Sequence, residues 1–82
     1  MSKYLVEVYA PPAGELEEVE ARVRRAAADS GSGRMRARYL RSILVPGDEM
    51  CFHLFEAPSA DAVRKAAQLA GLAYARIVEA VE

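Results

Sequence analysis

The chain has no tryptophan, one cysteine, one histidine and two phenylalanines in 82 residues. Each scarcity excludes something. Cys51 alone permits no internal disulfide and no CxxC pair, which fits a reducing, cytoplasmic setting. His53 alone cannot supply the three or four strong donors of a dedicated metal centre. No apolar run approaches the roughly 20 residues that cross a bilayer, and Met1-Ser2-Lys3-Tyr4 opens no signal-peptide hydrophobic stretch, so no membrane role is expected. Neither sign of charge dominates: 11 Lys+Arg against 12 Asp+Glu leave a formal net charge of −1. That balance argues against a binder driven by attraction to nucleic-acid phosphates. There is no glycine-rich phosphate loop and no EF-type calcium loop, and Gly31-Ser32-Gly33 is long enough only for a turn.

What is present is a hydrophobic fraction of 52% with 28% charged residues, the balance of a chain that folds around a core. With no linker or repeat, residues 1–82 read as a single domain. Residues 3–9 (KYLVEVY) alternate as a strand that ends at Pro11-Pro12. Leu16, Val19, Val23 and Ala26/Ala27 then recur at helical steps, with acids early and arginines late, predicting a helix over 15–29. Residues 36–45 and 50–56 flank Pro46-Gly47-Asp48-Glu49, the pattern of a β-hairpin. Ser59 reads as the N-cap of a helix over 59–70, Gly71 as the glycine that ends it, and 74–81 as a last strand. The order βαββαβ is that of a ferredoxin-like α+β fold: four antiparallel strands with two helices on one face.

Such a fold leaves the other sheet face open, and the hairpin says which residues share it. With Val45 opposite Met50, one face carries Tyr39, Arg41, Ile43, Val45, Met50, Phe52, Leu54 and Glu56. The other carries Arg38, Leu40, Ser42, Leu44, Cys51, His53 and Phe55, and a one-residue slip would exchange the two sets. The first set, joined by Leu5, Glu7 and Tyr9, is the expected open face. Glu7, Tyr9, Tyr39, Arg41, Phe52 and Glu56 are then the candidate ligand-binding residues, an arginine between carboxylates for a polar group and aromatics for an apolar body. The plainer alternative is an ion pair among surface or interface aromatics. His53 is a weak candidate metal ligand, with Cys51 two residues away on the same strand face. Its plainer reading is a partly buried histidine satisfied by Ser42. A Cys51–His53 nucleophile pair lacks an orienting acid. Arg34, Arg36, Arg38 and Arg41 form a basic stretch, but the third strand (MCFHLFE) lacks the glycine and basic residue of an RNA-recognition motif.

Lys3-Tyr4-Leu5-Val6-Glu7, Tyr39-Leu40-Arg41-Ser42, the long segment Phe52-His53-Leu54-Phe55-Glu56-Ala57-Pro58-Ser59-Ala60-Asp61-Ala62-Val63-Arg64, then Gly71-Leu72 and Arg76-Ile77-Val78-Glu79, resemble the DUF4242 family over nearly the whole chain. The resemblance implies a ferredoxin-like, dimeric, mostly bacterial protein, one branch of the family being described as nickel-binding through histidine-rich sites. Nickel therefore enters by resemblance alone; the residues themselves call for no cofactor. Two readings follow. In the first, the chain is a homodimeric binding protein that holds a small molecule, or weakly a metal ion such as nickel, on the open face. In the second, it is a small cofactor-free isomerase or cyclase of the dimeric α+β-barrel kind, with Glu7 or Glu56 as base and Arg41 as stabiliser of developing charge.

Overall fold

Alternating β-branched and aromatic residues form the first strand, β1 (Ser2–Tyr9), in the computed structural model, which describes residues 1–82 apart from the side chain of Arg34. Pro11 and Pro12 end it, and helix α1 (Leu16–Asp29) follows with Glu17 and Glu18 in its first turn, where the helix dipole favours acids. A short 3-10 turn (Gly33–Met35) leads into β2 (Arg38–Val45). The hairpin turn Pro46–Asp48 joins β2 to β3 (Met50–Ala57), and its left-handed residue is Glu49 (φ 54°) rather than Gly47. Helix α2 (Ala60–Leu69) begins where the Ser59 hydroxyl accepts from the Ala62 amide at 3.3 Å. It ends at Gly71, whose φ of 70° lets the Gly71 and Leu72 amides return to the Gln68 and Ala67 carbonyls. Strand β4 (Tyr74–Ala80) closes the chain.

The ferredoxin-like expectation holds: one antiparallel sheet, ordered β2-β3-β1-β4, with both helices packed on one side. The core between them is Val6, Val8, Val23, Cys51, Phe55 and Val63, with Ala26, Ala27, Ala66, Ala67 and Ala70 supplying the helix contacts. Alanine carries only a methyl group, so these helices sit close on the sheet without side-chain entropy to lose.

The hairpin register is the expected one from Arg41 to Val45: Val45 faces Met50, Ser42 faces His53 and Arg41 faces Leu54. Beyond Arg41 it departs. Tyr39 pairs with Phe55 and Arg38 with Glu56, so Leu40 is an extra residue on β2, a β-bulge. The bulge corrects two placements. Tyr39, expected on the open face, turns to the helix side, where its ring meets Phe55 edge-on at 5.7 Å. Arg38, expected under the helices, joins Glu56 on the open side. A second bulge on β4 leaves Ala75 unpaired between Arg76 (opposite Glu7) and Tyr74 (opposite Val8).

Two close contacts tie the end of α1 to β2. A side chain on Gly31 would put its Cβ 2.9 Å from the Met35 carbonyl oxygen, so glycine is required there by space. The buried Ser30 hydroxyl donates to the Ala27 carbonyl (2.7 Å) and accepts from the Ala37 amide (3.1 Å). Ser30→Ala should therefore strand a fully buried amide and lower unfolding stability by about 1–3 kcal/mol in urea titrations. A loss too small to resolve would show that this hydroxyl does not secure the junction.

Candidate functional site

Residues paired across an antiparallel ladder share a face, so the registers define the open side. Leu5 lies between Leu54 and Val78, Glu7 between Phe52 and Arg76, and Lys3 between Glu56 and Ala80. Arg41 and Ile43 add to it from β2, opposite Leu54 and Phe52. Its centre is apolar: Leu54, flanked by Leu5 and Arg41, is only 3% exposed although no helix covers this side. Ile43 and Tyr9 protrude towards solvent, Tyr9 at the end of β1 opposite Met50.

Glu7, Arg41 and Glu56 do occupy this face, yet each has its own partner. Glu7 accepts from the Arg76 guanidinium, Glu56 lies 3.5 Å from Arg38, and Arg41 Nη2 donates to Glu82 Oε2 at 2.8 Å. Glu82 also accepts from Lys3, and these two contacts, Lys3 first, hold its carboxyl below the usual carboxylate range. Ion pairs this exposed contribute little stability, but they fix which charges the surface presents. They also bear on chemistry: a general base must aim a lone pair at its substrate, and one oxygen of Glu7, Oε2, is already engaged by Arg76. Phe52 stands half-buried between Glu7 and Ile43, and Tyr39 is absent from this side.

Arg76 and Glu82 were not among the candidates. Arg76 was legible in principle, since Arg76, Val78 and Ala80 alternate on β4 and β4 pairs with β1. Glu82 lies beyond the last strand, and no periodicity places it.

The other side of the sheet holds a hydrogen-bond chain. Tyr39 Oη lies 3.1 Å from Glu20 Oε2 on α1 and 2.6 Å from Ser42 Oγ, which in turn lies 2.6 Å from Nδ1 of His53. A carboxylate only accepts, so the tyrosine proton goes to Glu20. Ser42 then donates to Tyr39, and His53 Nδ1–H donates to Ser42, which satisfies all three contacts with three protons. This assignment leaves Nε2 a bare lone pair. That atom is buried and has no partner among the described residues. His53 is thus satisfied by Ser42, as one reading of the sequence held, and is fully buried.

His53 and its neighbour Cys51 both lie buried on the helix side of the sheet. Burial pushes the Cys51 thiol up, the Glu20 charge adds to the rise, and the reactive thiolate is disfavoured. Among the described residues no three His, Cys, Asp or Glu side chains gather where one ion could reach them.

A sequence model described as nickel responsive protein SCO4226-like matches residues 4–80. Among solved structures, the crystal structure of SCO4226 from Streptomyces coelicolor A3(2) superposes with a TM-score of 0.78 at 17% identity, covering 99% of this chain and 98% of that one. At that identity the likeness is one of fold. No curated protein matches.

The buried imidazole has a consequence for stability. Burial above all lowers the His53 pKa from its ordinary 6.5, with Arg22 adding to the fall and Glu20 opposing it. The folded chain therefore resists a proton that the unfolded chain takes up below pH 6.5. Stability should hold above that pH and fall below it by up to ~1.4 kcal/mol per pH unit until the folded pKa is reached. Urea midpoints measured between pH 7.5 and 5 should drop for the natural chain and stay flatter for His53→Gln or His53→Phe. Equal midpoints across that range would remove the argument.

Proposed function

The chain belongs to the SCO4226-like nickel responsive protein family, and from that premise we propose that it is a small homodimeric binding protein, not a catalyst, whose open sheet faces meet and hold a ligand between them. The observation that carries this reading is the composition of that face. Leu5, Phe52, Leu54 and Val78 make an apolar centre, and the charged side chains around it, Glu7, Glu56 and Glu82 with Arg76, Arg38, Arg41 and Lys3, are already matched to one another. Three carboxylates meet four cations there, Glu82 being shared by Lys3 and Arg41, and charges with such partners can enter an interface at less desolvation cost than isolated ones. A two-fold partner presents the same patch in return, so one surface suffices for both sides of the contact. A net charge of −1 sets up no long-range repulsion between copies. The resemblance to DUF4242, whose nickel-binding branch points the same way, agrees with the family's nickel-linked description.

Nickel itself fits the single chain poorly. Octahedral and square-planar nickel sites take several imidazole, thiolate or carboxylate donors. Here the one imidazole lies in the core, the one thiol is held protonated, and Glu7 and Glu56 are occupied by arginines. We therefore assign the ion no resident site within one protomer, and a nickel response in this chain would act through the interface or through another ligand.

Two measurements check the reading. Sedimentation of the natural chain at micromolar concentration should show a dimer, and Ile43→Glu, which places a charge on the protruding edge of the face, should give a folded monomer. A natural monomer would remove both the interface and the ligand site that depends on it. Calorimetric titration with nickel should show only weak uptake, in the high-micromolar to millimolar range (about 4–6 kcal/mol of binding free energy). Stoichiometric tight uptake would mean that facing protomers pool their carboxylates.

A further inference from the structure

A cavity lies at the β2 edge of the sheet, where the end of α1, the 3-10 turn and the first residues of β2 meet. It encloses about 420 Å³, within the range of small-ligand pockets. Its apolar lining comes from Met1, the alanines at 27, 28 and 37, and Tyr39. Among the described residues, the guanidiniums of Arg24, Arg36 and Arg38 share it with the Glu56 carboxylate.

The charges do not cancel. Arg24 has Glu20 one helical turn before it, an arrangement suited to an ion pair. Glu20 instead accepts from Tyr39, and Arg24 lies over the Tyr39 ring with its guanidinium carbon 5.2 Å from the centroid. Among the described residues Arg36 meets the Gly31 carbonyl alone, through Nε at 3.4 Å. Among the described residues neither arginine has an acidic partner within ion-pair distance, whereas Arg38 and Glu56 are a loose pair at 3.5 Å. The end of a helix ordinarily repels anions through its free carbonyls. Here the Ala27 carbonyl is taken by Ser30 and the Gly31 carbonyl by Arg36, which blunts that effect.

We propose that this cleft binds a small aromatic carboxylate, its carboxylate gripped by Arg24 and Arg36 and its ring laid against Tyr39 and the alanine methyls. Guanidinium forks match a carboxylate in plane and with two hydrogen bonds. Inorganic phosphate offers the same oxygens but no flat apolar body, and its second charge would meet Glu56.

The test titrates the full chain with 2-naphthoate, followed by amide NMR shifts and calorimetry. Shifts should centre on Ala27, Ala37 and Tyr39. The exposed double variant Arg24→Gln/Arg36→Gln, checked for folding by circular dichroism, should bind at least about tenfold more weakly. Neutral 2-naphthalenemethanol and inorganic phosphate should each bind more weakly than 2-naphthoate to the natural chain. Unchanged affinity in the folded double variant, shifts that map elsewhere, no binding at millimolar 2-naphthoate, or phosphate binding as tightly would each overturn the proposal. Arg24 and Arg36 lie away from the open face, although Arg38 and Glu56 border both regions, so the affinity of the folded double variant reports on the cleft while sedimentation reports on the dimer.

Discussion

One extra residue in β2, Leu40, decides how the two sides of the sheet are shared out. Without it Tyr39 would lie on the side of Arg41, and a single alternation would run from Arg38 to Val45. With it, Tyr39 and Ser42 stand together on the helix side and Arg38 and Arg41 together on the open side. The hydrogen-bond chain Glu20–Tyr39–Ser42–His53 exists only because of that change of phase. It reaches from the solvent edge of α1 to an imidazole in the core, and it satisfies polar groups that would otherwise be costly to bury. It also takes Glu20 away from Arg24, so the same bulge sets the charge of the cleft beside α1.

Most of the architecture was legible in the sequence because its signals are local and agree with one another. The change of period from two to helical steps after Pro12, the Ser59 cap, the Gly71 stop and the turn at Pro46-Gly47 each mark a boundary, and the structure places its elements within two residues of them. The hairpin turn fixed the register near itself, so Arg41, Ile43, Phe52 and Leu54 were correctly placed on one face. Tyr39 and Arg38 lay farther from the turn, beyond the bulge, and no residue type marks Leu40 as unpaired. A bulge of this kind arises from what its neighbours can bond to across the sheet, which a pattern of alternation does not record.

The site was legible in membership more than in pairing. Glu7, Arg41 and Glu56 do share a surface with Phe52, as the strand alternation required. Their partners are set by tertiary contacts between residues 69, 41 and 18 positions apart, which no spacing along the chain reveals. Arg76 comes from the last strand because β4 lies beside β1, and Glu82 reaches two basic residues from beyond the strand that carries it. An arginine between two carboxylates was the expectation; a carboxylate between a lysine and an arginine is what forms.

The two bulges have a further meaning that follows from where they sit. The sheet order leaves β2 and β4 as its outer strands, and these two carry the unpaired residues Leu40 and Ala75. An outer strand with a regular row of free amides and carbonyls is a template for another chain to add to, the first step towards fibres. Here both templates are interrupted, and arginines stand beside the interruptions: Arg38 and Arg41 around Leu40, Arg76 next to Ala75. Growth strand by strand is thereby discouraged in both directions. Neither edge offers an unbroken template for open-ended growth.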